Sequence, residues 1–184
     1  MKKLAIAAIF VGGATQAIAD RYDTTTLLRH KDWIVEHTFD ASDGQQWCAA
    51  ETADRGGTSM GIIAYDTGSF AFTLFNLRWD IPEGAKRYIT VDVDYERFDG
   101  WATGSGSVLY LMLSGNVGVE FLERIRAGRA VAVYNQDMRR INTFSLRGSA
   151  AATAALADCF SRIRLPDDRD PFIGAGARSS DPFL

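Results

Sequence analysis

Two cysteines, two histidines and four prolines are all that 184 residues hold of those types. His30 and His37 stand in no metal-ligand spacing with each other or with a cysteine, which argues against a zinc site. Gly-x-Ser-x-Gly is absent. Ser149, in Arg147-Gly148-Ser149-Ala150, therefore reads as a helix cap and not as a nucleophile elbow. No glycine-rich phosphate loop occurs, because Gly104-Ser105-Gly106 is too short and falls between strand-like runs. Beyond residue 19 no apolar run approaches the roughly 20 residues that a helical membrane span needs. Clustered basic residues are missing too, and the net charge is −3, which argues against nucleic-acid binding. No fixed-period repeat is found, and no cofactor or metal is expected.

The first residues read as an address and not as fold. Lys2 and Lys3 precede an apolar run from Leu4 to Ala14, and Ala17-Ile18-Ala19 is an A-x-A cleavage site. Residues 1–19 are thus expected to be a secretory signal peptide, with a mature chain from Asp20. Losing two lysines takes the net charge to −5. No cysteine lies near the cleavage site, so a lipid anchor is not expected. Export and an even cysteine count point to one disulfide, Cys48–Cys159, the alternative being two unpaired buried thiols. A loop of that length, about 110 residues, corresponds to up to about 4.7 kcal/mol in the chain-entropy model.

The stretch Arg139–Arg164 carries the strongest structural signal. Ile141 to Leu146 reads as a strand with Phe144 and Leu146 on one face. Gly148 breaks it, and Ser149 is suited to an N-cap. Ala152, Leu156, Cys159, Phe160 and Ile163 then fall on one helical stripe. Arg162 and Arg164 suit the helix C-terminus, and Pro166 forbids continuation. With a cysteine on this stripe, much of the chain should pack against it.

Upstream, Asp20–Lys31 shows no clear period and reads as a leader arm. Strands are expected at 33–39, 46–52, 59–65 and from Phe70, with turns at 40–44, 54–57 and 66–68. The apolar parity switches to Phe75, Leu77 and Trp79, which implies a bulge or a strand covered on both faces. Arg87–Phe98 alternates cleanly, and Asp99-Gly100 is a hairpin signal. Val108–Leu113 is apolar in both parities and should be central. Asn116 can cap a short helix carrying Phe121, Leu122 and Ile125, which Gly128 ends. Arg129–Tyr134 is a strand. Residues 167–184, rich in Pro, Gly, Asp and Ser, read as a disordered tail. The expected fold is α+β, mainly β: an antiparallel meander, sandwich or partly open barrel, of about eight strands. Two short helices accompany it, the C-terminal one packed on the sheet, in a single domain over 20–166.

Three features carry candidate chemistry. Tyr65-Asp66-Thr67-Gly68 follows an apolar strand as the active-site loop of aspartic proteases does. That chemistry needs two aspartates sharing a proton, so this single copy would have to dimerise. A hairpin turn explains the same residues. Asp92, Asp94, Glu96 and Asp99 form an acidic comb on one expected strand face that could meet a cation or basic partner. Arg97 stands where a calcium loop requires glycine, and such combs are also ordinary solvated sheet faces. The tail repeats Asp-Pro-Phe at Asp170-Pro171-Phe172 and Asp181-Pro182-Phe183, making Phe172 and Phe183 candidate docking residues.

Trp33 and Val35 in an early strand, Cys48 in the next, and Phe144-Ser145-Leu146-Arg147-Gly148-Ser149 before an alanine-rich helix form one further pattern. In it the chain resembles the invasion-associated locus B family and related small exported proteins of alphaproteobacteria, whose strand–Ser-Leu-x-Gly–helix ending matches Ser145, Leu146 and Gly148. The resemblance implies a non-enzymatic, β-rich periplasmic or surface protein, in some members tied to host-cell entry. The expectation is therefore an exported binding module, periplasmic or secreted, with a protein partner in the envelope or outside the cell. The alternatives are a dimeric aspartic hydrolase using Asp66 and a periplasmic enzyme inhibitor.

Overall fold

The computed structural model describes residues 21–164. Ten strands and two helices follow in order. They are β1 (Tyr22–His30), β2 (Trp33–Asp40), β3 (Gln46–Ala53), β4 (Thr58–Tyr65), β5 (Phe70–Asn76), β6 (Lys86–Val93), β7 (Glu96–Ser105), β8 (Val108–Leu113), α1 (Gly115–Ala127), β9 (Ala130–Asn135), β10 (Arg140–Ser145) and α2 (Ser149–Ile163). All strands join one sheet in the order β1-β2-β3-β4-β5-β8-β7-β6-β9-β10. Every neighbouring pair is antiparallel. The class is the expected mainly-β α+β, an open antiparallel sheet of ten strands in place of about eight, with the C-terminal helix packed on it. The expected central strand, β8, is sixth in the order.

Two strand assignments change. The leader arm is β1, which pairs with β2 over most of its length around an irregularity between Thr26 and Leu28. That irregularity, with three successive threonines before it, hides the two-residue period. The long strand expected over 87–98 is two strands. The chain reverses at Asp94-Tyr95, both at positive φ (49° and 78°), as a two-residue hairpin turn requires. Asp99-Gly100, the stronger turn signal, lies inside β7 opposite Thr90 and Ile89. Burial decides between the two. Reversal at 94–95 sets Phe98 opposite Val91, on the face where both are buried. Reversal at 99–100 would have put Phe98 on the acidic face.

One face of the sheet is lined by Trp33, Val35, Met60, Ile62, Phe72 and Val91, all essentially inaccessible, and both helices pack there. Phe121 of α1 meets Phe72 and Phe98 edge-on, with ring centres 5.7 and 5.1 Å apart. The α2 helix contacts β1 to β4 and α1. It buries Ala152, Leu156, Cys159 and Ile163, the stripe read from the sequence, with Phe160 partly covered. Cys48 and Cys159 form a disulfide across 111 residues. No free cysteine remains.

Both helix starts differ by a residue or more from expectation. Gly148, at φ 103°, flanks α2 and Ser149 is its first residue. A Cβ at Gly148 would lie 3.2–3.3 Å from Lys31, His30 and Trp33, so the β1–β2 turn occupies the space a side chain would need. Ser149 instead donates its hydroxyl to the Ile125 carbonyl at 2.7 Å, tying the two helices together. The α1 helix begins at Gly115, flanked by Ser114 and not Asn116.

The outermost strands, β1 and β10, share no backbone ladder, yet the sheet curls enough to bring β10 back to the β3–β4 turn. There Asn142 donates to Asp54 Oδ2 at 2.8 Å, while Asp54 Oδ1 accepts from the Gly56 and Thr58 amides. Burial raises the Asp54 carboxyl, but these hydrogen bonds outweigh it and hold the group below the ordinary range. The Arg21 guanidinium, with help from Ser42, holds the Asp40 carboxyl far lower.

Leu156→Ala should cost about 2–5 kcal/mol in denaturant melts, as truncations of buried leucines do. A loss under about 0.5 kcal/mol, the range of surface changes, would show that the stripe is not core. Both depressed carboxyls contribute stability above the unfolded carboxylate pKa, near 4, and lose it as pH falls through and below that value. Denaturation midpoints should therefore drop on acidification below about pH 4, and less steeply in Arg21→Ala, which frees Asp40. An equal slope in that variant would remove the pair from the account.

Candidate functional site

A cleft lies where the β5–β6 connection folds back over the sheet. Asn76 starts that fold: its carbonyl accepts from the Trp79 amide at 3.0 Å and its Oδ1 from the Arg78 amide at 2.9 Å. Ile81 then makes a two-way backbone bridge to Gly106, at 2.8 Å each way. Gly84 and Ala85 bond Gly104 from its other side. This close approach requires glycine at 104, since a Cβ there would sit 2.2 Å from Ile81 Cγ2. Gly104-Ser105-Gly106, read in sequence as a weak point in a strand, is the seat of this connection and the β7–β8 turn.

Between the connection and β6, β8, β9 and β10 this cleft measures about 640 Å³. Trp79, Ile81, Ile89, Leu109 and Ile141 supply apolar walls. Arg78, Lys86 and Arg87 supply cations, and Asp80 is the lining carboxylate. Asn135 shapes the far wall, its Oδ1 holding the amides of Asp137 and Arg139. Arg87 donates only to the Lys86 carbonyl, at 3.0 Å, and Lys86 to Thr103 Oγ1, at 2.6 Å. Among the described residues, none of the three cations forms an ion pair, while seven pairs form elsewhere. On a chain of net negative charge, this is a local positive, apolar-walled recess. Its chemistry suits an anionic group attached to an apolar one.

The acidic comb is not one strand face, because its acids divide between β6, the turn and β7. Asp92 accepts from the Tyr95 amide at 2.8 Å and pairs with Arg97. Asp94 holds the Arg129 amide at 2.7 Å and the Ala130 amide at 3.3 Å. Glu96, beyond the turn on β7, pairs with Arg124 of α1 at 3.5 Å. The reversal at Asp94-Tyr95 is what scatters them: each acid stabilises a different join. Phe172 and Phe183 lie outside the described residues.

Asp66 is buried, and its Oδ2 accepts from the Gln46 amide at 2.9 Å. Its own amide donates to the Gln46 carbonyl at 3.1 Å, and Gly68, at φ 87°, donates to the Tyr65 carbonyl. The carboxylate thus braces the start of β3, as the turn reading of Asp-Thr-Gly expects. His37 bonds Gln46 through Nε2 at 3.1 Å. Among the described residues no three His, Cys, Asp or Glu side chains group as metal ligands would, and no helix is long and apolar enough to cross a membrane.

The cleft residues were not singled out from the sequence. The available signal was the parity switch at Phe75–Trp79 beside Arg78, Lys86 and Arg87, three cations with few acids nearby. Compared with known proteins, the chain matches no family model, no curated protein and no solved structure.

Asp66→Ala should lower stability by about 1–3 kcal/mol, the cost of leaving a buried amide unpaired. Asp66→Asn, which keeps an acceptor, should lose less. Casein cleavage at acidic pH that vanishes in Asp66→Asn would overturn the bracing role.

Proposed function

We propose that the chain is an exported, non-enzymatic binding module whose Trp79–Ile141 cleft receives an acidic, apolar-bearing segment of a protein partner in the envelope or outside the cell. The observation that carries this reading is the set of unpaired cations, Arg78, Lys86 and Arg87, on the rim of an apolar recess. Cations left without carboxylates in an acidic chain favour an anionic visitor over a neutral one. The Cys48–Cys159 bond fits an oxidising compartment, as does the signal-like start.

The residues that carry the invasion-associated locus B resemblance lie close together in the fold. Trp33 is fully buried and its Cδ1 lies 3.3 Å from the Cβ that Gly148 lacks, while Cys48 bonds the helix that follows. The matching residues act as one packing unit, and a role at the host-cell or envelope surface is what the resemblance implies.

Random peptides displayed on phage and selected on the immobilised mature protein test the cleft. Winners should pair Asp or Glu with an aromatic or aliphatic residue and weaken with rising salt. They should bind Arg87→Glu at least about tenfold less tightly, a loss of about 1.4 kcal/mol. Selection without acidic enrichment, or binding that survives Arg87→Glu, would sink the proposal.

A further inference from the structure

The sheet face turned away from the helices carries a second recess of different chemistry. Register places Thr24, Thr38, Trp47 and Tyr65 in one row across β1, β2, β3 and β4. Tyr22, on β1, and Tyr110, on β8, also line the recess, and the Tyr22 phenol acts electrostatically on that of Tyr110. The floor between is low because Ala49 and Ala71, which flank Ile63 in the ladder, are small and buried. The groove has a volume of about 490 Å³.

Its lining is aromatic and hydroxylic, and no charged side chain contributes to it. The nearest ion pair, Arg21 with Asp40, is closed on itself by hydrogen bonds of 2.8–3.2 Å, and its guanidinium lies over the Tyr22 ring. Tyr22 meets Trp47 edge-on at 5.9 Å, which fixes both ring planes. Burial, with the nearby Tyr110 phenol, raises the Tyr65 hydroxyl pKa, and burial, with the Glu83 carboxylate outside the lining and the Tyr22 phenol, raises that of Tyr110. Neither shift comes from a hydrogen bond, in contrast to Tyr88, whose hydroxyl is raised by bonding Asp99.

We infer that this groove is a binding site for a neutral saccharide chain of several pyranose rings. The axial C–H groups of a pyranose face carry slight positive charge and pack on the negative faces of Trp and Tyr rings. The ring hydroxyls find partners in the Tyr65 and Tyr110 phenols, the Thr24 hydroxyl and the Gln45 amide at the edges. A neutral lining recognises a neutral ligand, which separates this site from the cationic cleft. The open, flat floor of regular strands suits a flat, β-linked chain more than a coiled α-linked one.

Cellohexaose, chitohexaose and maltohexaose, titrated into the mature protein by calorimetry and tryptophan fluorescence, test the inference. At least one β-linked hexamer should bind, more tightly than maltohexaose. Trp47→Ala should weaken that binding at least about tenfold, and Arg87→Glu, in the other recess, should leave it unchanged. Should Trp47→Ala fail to fold, Tyr22→Ala on β1 and Tyr110→Phe, which removes one hydroxyl, carry the same expectation with smaller losses. The inference is overturned if no hexamer binds, if binding survives these substitutions, or if the groove variants abolish only the binding of displayed peptides, which would make this face a protein surface.

Discussion

The α2 helix can be buried in one place only, the hollow of the curled sheet, and most of the molecule follows from that. Its stripe of Ala152, Leu156, Cys159 and Ile163 needs a concave apolar partner, which β1 to β4 provide. The small residues on this stripe let the helix axis approach the strands closely. The disulfide to Cys48 then holds the helix at the middle of β3. With α2 seated, α1 is held against it through the Ser149–Ile125 bond, and Phe121 fills the remaining hollow between Phe72 and Phe98.

The cleft and the groove differ because their backbones differ. The cleft exists because an irregular connection is laid across β7 on Gly104, where no side chain can intervene. Irregular chain carries its polar residues outward, so the rim is charged. The groove on the other face belongs to regular strands, where side chains alternate and a row of rings can align. One fold thus presents a charged, notched end and a neutral, ridged back.

Much of this was legible in advance. The α2 stripe, the cysteine pair, the central place of Val108–Leu113 and the strands around Cys48 all rest on local period or composition, and local signals survive folding. What failed was set by distant partners. Asp99-Gly100 has better turn chemistry than Asp94-Tyr95, but Phe98 had a place against Val91 and Phe121, and burying a phenylalanine outweighs a turn preference of a few tenths of a kcal/mol. The acidic comb vanished with that turn. The cleft and the groove were invisible for a related reason: each is assembled from four or five strands, and no window along the chain contains it.

The strand order also has a temporal side. The first five strands form a meander that can zip up as the chain emerges, each strand meeting the one before it. Then the path doubles back: β8 joins β5, and β7 and β6 follow outward. The cysteine that locks the structure comes 111 residues after its mate, on the last helix. Such distant pairing slows folding, because a long loop must close before its contacts repay the lost entropy. A half-synthesised chain therefore holds Cys48 as a lone thiol beside an unfilled hollow. The covalent lock can close only after α2 has been made, so the bond seals the sheet with its helix in place and cannot trap the sheet without it.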